Sequence, residues 1–183
     1  AMIRTPEGRS YLNVPVRTED RKKPIGDVRM DHAQPWIDTF LRTIEYNYRN
    51  SVYYDFYEPE INALVRDAAD TDYLVEWSEN LRSAILSFMD LECPEQRRCS
   101  NGDWCVSDNP DEIANALGAS EYVQEPGSKH YMRQGKKAEP CTVEHPVYRQ
   151  HFDGFEPGCC VLDLLLQYGP ESFRVIDQLF DNA

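Results

Sequence analysis

Three stretches of the chain repeat apolar residues every three or four positions, which is the spacing of an amphipathic helix. The first follows Pro35, a residue suited to a first helical turn, and its apolar positions are Trp36, Ile37, Phe40, Leu41, Ile44 and Tyr48. The second follows Asn50 and Ser51 and should bury Tyr53, Phe56, Tyr57, Ile61, Leu64 and Val65. We expect Pro59 to kink or restart this second helix. The third, capped by residues 70–72, has apolar positions Leu74, Trp77, Leu81, Ala84, Ile85 and Phe88.

The most apolar segment of the chain, residues 159–168, predicts a buried helix that ends at Gly169 and Pro170. Asp163 lies one turn inside this helix, so its carboxylate is either on the wet side or buried and paired. A loop rich in aromatic, imidazole and amide side chains, residues 145–158, comes directly before it. A polar loop fixed to the start of a buried helix is a favourable place for a functional site. A final helix should begin at Pro170.

Shorter patterns predict the strands. Residues 10–16 alternate between apolar and polar side chains, and residues 25–30, 121–123 and 141–144 give three further short strand signals. A short helix is expected between Asn109, a capping residue, and Gly118, a stop signal. The mixed order of strands and helices is typical of an α/β protein. We therefore predict one helix-rich α/β domain over residues 1–183, built around a small mixed or parallel sheet.

The charge of the chain limits its partners. The 183 residues have a formal net charge of −13, which repels nucleic-acid phosphates and anionic lipid. No run of about 18 apolar residues exists, so we expect no membrane span, and nothing at the start resembles a signal peptide. These features predict a cytoplasmic protein that binds neither nucleic acid nor membrane. They leave the oligomeric state open.

Six cysteines are present, and without an export signal we expect them to be reduced. Cys93, Cys99 and Cys105 are each six residues apart, whereas structural zinc sites favour ligand pairs two to four residues apart. Cys141, His145 and His151 form a second loose set. We therefore predict no metal site, and no pattern in the chain indicates a cofactor.

Four stretches together resemble the WbqC-like family. They are the segment LNVPV at residues 12–16, the helical segment WIDTFLRTIEYNYRNSVYY, the segment GASEYVQEPGSKHYM and the segment HPVYRQHFDGFEPGCCVLDLLLQYGP. They occur in the order that the family shows and cover nearly the whole chain. The family occurs among genes for surface-polysaccharide (O-antigen) biosynthesis, so the resemblance implies work on a sugar nucleotide or an amino-acyl sugar.

The sequence departs from the family pattern at its start. Members of the family begin with a segment of the type His-Gln-Pro-x-x-Leu-Pro, and this chain starts downstream of it. We expect any activity that needs the His-Gln pair to depend on whether the natural protein has such a segment. This is the sense in which the chain is predicted to be truncated relative to the family.

Two groups of residues are candidates for binding a substrate. Gly127, Ser128, Lys129 and Tyr131 follow a predicted strand, where backbone N–H groups and the Lys129 ammonium can hold a phosphate or carboxylate. The alternative is a tight surface turn. Arg98, next to Arg97 and Ser100, can bind phosphate with two hydrogen bonds or can simply be surface charge.

The loop before the apolar helix supplies the candidate catalytic residues. His145 can move protons, while Tyr148 and Gln150 can orient a sugar hydroxyl or carbonyl. If buried, Asp163 is expected to hold a cation or imidazole of this loop. Cys159 and Cys160 are candidate nucleophiles because a helix N-terminus lowers the pKa of a thiol, although small residues often only pack there. We expect residues 126–131 and 148–150 to meet in space.

These residues support two hypotheses about function. The first is a small transferase or ligase that acts on an activated sugar or amino-acyl donor. The second is a module without catalytic activity that keeps the same fold and binds a partner enzyme or a polysaccharide intermediate.

Overall fold

A computed structural model describes residues 1–92, 110–119, 123–124, 139–140 and 145–181 of the chain. By its contacts, the chain divides into two compact units. The first comprises residues 1–93 together with 145–183, and the second comprises residues 94–144. The two units are described separately below.

Helices dominate the first unit. They are α1 (Trp36–Tyr48), α2 (Tyr54–Arg66), α3 (Leu74–Phe88), α5 (Val161–Tyr168) and α6 (Ser172–Asp181). Five of the six apolar side chains that α1 was predicted to bury lie in the core, and the sixth, Ile37, is partly buried against it. Trp36 and Phe40 form a cluster of edge-to-face rings there with Trp77 of α3. The helical periodicity therefore located α1, α2 and α3 correctly.

The buried face of α2 differs from the prediction. Phe56 is 68% exposed, whereas Tyr54 is 5% exposed. The buried positions of this helix are Tyr54, Tyr57, Ile61 and Val65, so Phe56 lies about 200° from Tyr54 around the axis and faces the opposite side. Pro59 neither ends nor restarts the helix, which continues through it from Tyr54 to Arg66.

The predicted cap of α3 is also absent. Tyr73 precedes the first turn, and no side chain at this end binds a backbone N–H group. The segment before α3 is fixed by its backbone instead. The N–H of Met30 donates to the carbonyl of Asp72 at 2.8 Å, and the N–H of Leu74 donates to the carbonyl of Val28 at 3.0 Å. The chain before α3 is therefore held by extended pairing.

The predicted strands near the start of the chain were placed wrongly. The observed element is a hairpin of β1 (Met2–Thr5) and β2 (Gly8–Tyr11), in which Met2 pairs with Tyr11 and Thr5 pairs with Gly8. Only the first two residues of the predicted strand at 10–16 belong to it, since residues 12–15 are irregular and Val16 forms one isolated bridge with Met30. Residues Ile25–Asp27 form a 3-10 turn rather than a strand.

The apolar helix is buried as predicted. Within α5, Leu165 and Leu166 have no exposed surface, and Gly169 ends the helix with a φ of +57°. The N–H of Tyr53, just before α2, donates to the carbonyl of Leu166 at 2.9 Å. A side chain at position 169 would meet the Tyr53 ring at 2.6 Å, so glycine is required here for both its conformation and its size.

The second unit contains α4 (Pro110–Ala116), β3 (Val123–Gln124) and β4 (Glu139–Pro140). The two short strands run parallel, with Val123 opposite Glu139. Gly118 follows α4 with a φ of +67°, which fits the predicted stop. The predictions for residues 93–109, 120–122, 125–138 and 141–144 lie outside the described residues, so of the strand predicted at 121–123 only Val123 is described.

The structure confirms a helix-rich α/β protein with little sheet. Within the described residues, no helix combines the length and the apolar character needed to cross a bilayer.

Candidate functional site

A buried carboxylate in the first turn of α5 binds the loop that precedes this helix. Asp163 is 1% exposed, and each of its oxygens accepts a hydrogen bond from a tyrosine hydroxyl. Tyr48, at the end of α1, donates to Oδ1 at 2.9 Å, and Tyr148, in the loop, donates to Oδ2 at 2.8 Å. Asp163 is therefore buried and paired, but its partners are two hydroxyl groups rather than the predicted cation or imidazole.

The tyrosine hydroxyls are held in their protonated form. Burial, and next the Asp163 carboxylate, raise the pKa of Tyr48 and the pKa of Tyr148 well above the ordinary value. The Tyr48 hydroxyl also accepts a hydrogen bond from the backbone N–H of Arg4 at 2.9 Å. Because it donates to one group and accepts from another, Tyr48 links α5 to the N-terminal hairpin.

Gln150 gives the loop its shape. Its side chain is buried, and its Oε1 accepts from the N–H of Glu156 at 2.8 Å while its Nε2 donates to the Glu156 carbonyl at 3.0 Å. This pair of bonds closes the loop between residues 150 and 156. A third, longer contact of 3.4 Å runs from Nε2 to the Tyr148 hydroxyl. Both polar atoms of the amide are thus occupied within the protein.

The β1–β2 hairpin holds the same loop from the other side. The Cys160 N–H donates to the carbonyl of Met2 at 2.7 Å. The buried side chain of Arg4 donates to the Asp153 carbonyl at 2.6 Å, and its guanidinium lies 5.7 Å from the centre of the Phe152 ring. The loop is consequently fixed at both of its flanks before any ligand binds.

One exposed part of this region is the turn at Gly158, which we call the Gly158 surface: Arg9, His145, Glu156 and Gly158. Arg9 donates to the Pro157 carbonyl at 2.8 Å, and its Nε lies 3.6 Å from the carboxylate of Glu156. Gly158 has a φ of +79°, and a Cβ placed there would lie 3.5 Å from Arg9 Nη1 and 4.0 Å from His145 Nε2. A guanidinium and an imidazole therefore approach one point above a residue without a side chain.

The two thiols at the start of α5 do not have the character predicted for nucleophiles. Burial, followed by the Asp163 carboxylate, raises the pKa of Cys159 to about 11. Burial likewise raises the pKa of Cys160. These effects outweigh the helix N-terminus, so the thiolate that attacks a substrate is disfavoured at neutral pH. Both cysteines are free thiols.

The structure brings part of the predicted set together. Tyr148, Gln150 and Asp163 are joined by hydrogen bonds, and His145 lies at the exposed edge beside Gly158. The other predicted residues lie outside the described part of the chain, namely Arg98, Gly127, Ser128, Lys129 and Tyr131. Their roles, and the expected meeting of residues 126–131 with 148–150, remain predictions.

Sequence reasoning missed three residues of this region. Tyr48 was predicted as a buried residue of α1, and its ring is indeed buried. That prediction did not include the hydrogen bonds that its hydroxyl makes with Arg4 and Asp163. Arg4 and Arg9 belong to a hairpin that was not predicted, and they contact a loop about 150 residues away along the chain. Contacts of that separation leave no local signal in one sequence. The local sign of the hairpin was the two-residue turn of Pro6 and Glu7, followed by Gly8.

The described residues contain no cluster of three or more histidine, cysteine, aspartate or glutamate side chains that could hold a metal ion. The carboxylate of Asp163 is taken by hydroxyl donors, and that of Glu156 faces a guanidinium. The groups that the site offers to a ligand are therefore hydrogen-bond donors and one imidazole.

The region is thus a helix-anchored polar loop in a small α/β protein, clamped by an N-terminal hairpin. The chain belongs to the WbqC-like protein family, whose sequence model matches residues 1–175. It is similar to a relative described as uncharacterized protein Rv1507c, from Mycobacterium tuberculosis (strain ATCC 25618 / H37Rv). The two are 24% identical over 190 residues, covering 93% of this chain and 77% of the relative. No solved structure matches the chain.

Proposed function

We propose that the protein is a small cytoplasmic enzyme of the transferase or ligase type. Its substrate is an activated sugar or amino-acyl donor, used in surface-polysaccharide or related biosynthesis. Donors of this kind contain a phosphate or another anionic leaving group. The proposal therefore requires a binding site in which an anionic group can approach the backbone closely and accept hydrogen bonds from N–H donors.

The convergence of Arg9 and His145 on Gly158 supports the proposal. A guanidinium offers two parallel N–H groups to a phosphate or carboxylate, and the missing side chain at Gly158 leaves the approach open. An imidazole beside it can transfer a proton to or from a leaving group. Glu156 is the competing anion, since it pairs with Arg9 at 3.6 Å across an exposed surface. Such exposed pairs contribute little, so a multiply charged donor group can replace it.

The remaining residues have a supporting role in this proposal. Gln150 positions the turn, because both of its amide atoms bind the backbone of Glu156. Asp163 and Tyr148 fix the start of α5 below the turn. We assign contact with the donor to Arg9 and His145. The acceptor is assigned to the exposed rim of the same loop.

A ligand-induced stabilisation screen tests the proposal. Nucleotides, sugar nucleotides and aminoacyl adenylate analogues would be added at millimolar concentration to the wild type, Arg9→Gln, His145→Gln and Arg21→Gln. Arg21 is exposed and lies outside the Gly158 surface, so its variant is matched to Arg9→Gln in charge. We expect an increase in melting temperature with at least one donor class in the wild type and in Arg21→Gln.

The same increase should be strongly reduced in Arg9→Gln and reduced in His145→Gln, because ligand binding stabilises only the folded form that binds it. The proposal fails if no donor changes the melting temperature of a natural-length protein. It also fails if a donor stabilises Arg9→Gln as much as the wild type.

A second function, a binding module without catalytic activity, is favoured by one observation. The Tyr148 hydroxyl and both amide atoms of Gln150 already have partners inside the protein, as expected of structural residues. The two functions differ in whether a bound donor is consumed. Transfer of a labelled sugar or amino-acyl group from a bound donor would exclude the module, whereas binding of an intact polysaccharide intermediate without consumption of any donor would favour it.

A further inference from the structure

A second cleft in the first unit differs in chemistry from the Gly158 surface. It has a volume of about 280 Å³ and lies between the end of β2 and the first two turns of α1. Its polar lining consists of the amides of Asn13 and Gln34 and the hydroxyls of Thr39 and Thr43, beside Tyr11 and Trp36. We call it the neutral cleft.

The charge of this cleft is unusual for the chain. Its lining contains no carboxylate, ammonium, guanidinium or imidazole, although the whole chain has a formal net charge of −13. Two other clefts of the same unit contrast with it. One includes Asp38 and Arg66, and the other also includes Glu45 and Glu58. A lining without ions gives no advantage to a phosphate, a metal ion or an amine, and it favours an uncharged ligand.

The polar groups of the neutral cleft are free to bind. Among the described residues, the amides of Asn13 and Gln34 have no hydrogen-bond partner. Each amide offers both donors and acceptors. The hydroxyls of Thr39 and Thr43 donate their protons to the carbonyls of Pro35 and Thr39, so each presents only lone pairs to a ligand.

The remaining lining is aromatic. Tyr11 is 66% exposed, whereas Trp36 is only 7% exposed. The buried indole N–H of Trp36 has no hydrogen-bond partner in the described part of the chain. An exposed tyrosine ring provides an apolar face for the C–H groups of a flat ligand, while amides and hydroxyls bind around its edge.

We propose that the neutral cleft binds one uncharged sugar ring. A pyranose has hydroxyl groups that both donate and accept, which matches two free amides and two accepting hydroxyls. It also has a C–H face that fits an aromatic ring, and its size suits a cleft just below the range of about 300–1,000 Å³ that holds larger ligands. The cleft shares no lining residue with the Gly158 surface, and the proposal does not depend on the transferase activity.

The test is a titration with neutral sugars followed by two-dimensional NMR of the intact chain. The probes are D-glucose, D-galactose and N-acetyl-D-glucosamine, with UDP-glucose and UDP as separate arms that distinguish a free sugar from the sugar of a nucleotide donor. We expect saturable shifts at Tyr11, Asn13, Gln34, Thr39 and the Trp36 indole with at least one sugar. Isolated sugar rings make few contacts, so the expected Kd is about 1–10 mM.

The variants Asn13→Asp and Gln34→Glu keep the shape of each amide but replace its donor by a negative acceptor. Each should raise the Kd about tenfold, because a donor is lost and an acceptor is left facing ligand oxygens. Asn50→Asp makes the same charge change at an exposed position outside the cleft and should leave the Kd unchanged. All three positions are exposed, so the variants are expected to fold.

The proposal is overturned if no sugar gives saturable shifts, or if the shifts lie away from the cleft. Binding of UDP as tight as that of UDP-glucose, with no shift from free sugars, also overturns it. Equal effects of Asn50→Asp and Asn13→Asp would mean that only general charge is being measured, which contradicts the proposed contacts.

Discussion

The structure makes a sharp prediction about two tyrosine hydroxyls that bind the same carboxylate. Tyr48→Phe removes a hydroxyl that donates to Asp163 at 2.9 Å and accepts from the Arg4 N–H at 2.9 Å, and both bonds are buried. Tyr148→Phe removes the hydroxyl that donates to the other oxygen of Asp163 at 2.8 Å, in a partly buried position. The rings remain in both variants, so the packing is preserved.

The magnitudes follow from the groups that lose partners. A buried polar group without a partner costs about 1–3 kcal/mol. Tyr48→Phe leaves two such groups, the Arg4 N–H and one Asp163 oxygen, so we expect a loss of about 2–4 kcal/mol in the free energy of unfolding. Tyr148→Phe leaves one oxygen that water can reach more easily, so we expect a loss of about 1 kcal/mol.

Urea denaturation followed by circular dichroism measures the difference. With a dependence on urea of about 1–3 kcal/mol per molar, Tyr48→Phe should lower the midpoint by roughly 1 M more than Tyr148→Phe does, with unchanged slopes. Tyr46→Phe removes a hydroxyl from a ring that is 73% exposed and should match the wild type. The reasoning is refuted if Tyr48→Phe is no less stable than Tyr148→Phe, or if it differs from the wild type by less than about 0.5 kcal/mol.

Three further predictions concern acid, thiol reactivity and a turn. Hydrogen bonds from Arg29 hold the pKa of Asp20 well below its usual value, so its stabilisation is present above about pH 4 and lost on acidification below it. The unfolding free energy of Asp20→Asn should therefore fall less steeply between about pH 5 and 2 than that of the wild type, and parallel curves would contradict this. Burial raises the pKa of Cys159 to about 11. Its alkylation rate, measured by peptide mass spectrometry, should therefore still rise about tenfold per pH unit at pH 9. A rate that stops rising near pH 8.5 would contradict this. Gly169→Ala should lower the free energy of unfolding, measured with heat or urea, by more than about 2 kcal/mol, because the new methyl group would lie 2.6 Å from the Tyr53 ring. Gly26→Ala, which has nothing within 4 Å, should lower it much less. Equal losses in the two variants would be inconsistent with the structure.

Local periodicity was sufficient to predict α1, α2 and α3. In α1 the spacing of Trp36, Phe40 and Ile44 fixes both the helix and its buried face, because a helix repeats every 3.6 residues. The helix α5 was found from its apolar run, and its end from Gly169 followed by Pro170. The face of α2 was misjudged since adjacent aromatic residues, Phe56 and Tyr57, give no phase by themselves.

Long-range pairing could not be predicted from the pattern alone. Each strand of the hairpin has only four residues, which is too few for a clear alternation of apolar and polar side chains. The hydrogen bond from Arg4 to the Asp153 carbonyl joins residues that are far apart in the chain. Asp163 was recognised as an exception within an apolar helix, yet its two hydroxyl partners come from α1 and from the loop. The sequence therefore singled out the loop and Asp163 as a candidate site, while the hydrogen-bond partners of Asp163 come from tertiary contacts.

The most direct test of the proposed function is an NMR titration that observes the Gly158 surface itself. The measurement follows the Arg9 Nε–H, the His145 ring and the Gly158 amide while a sugar nucleotide is added. We predict that all three signals shift and saturate together with one Kd, because the anionic group of the donor binds where these groups converge. Saturation of the protein by a donor with these three signals unchanged would contradict the account.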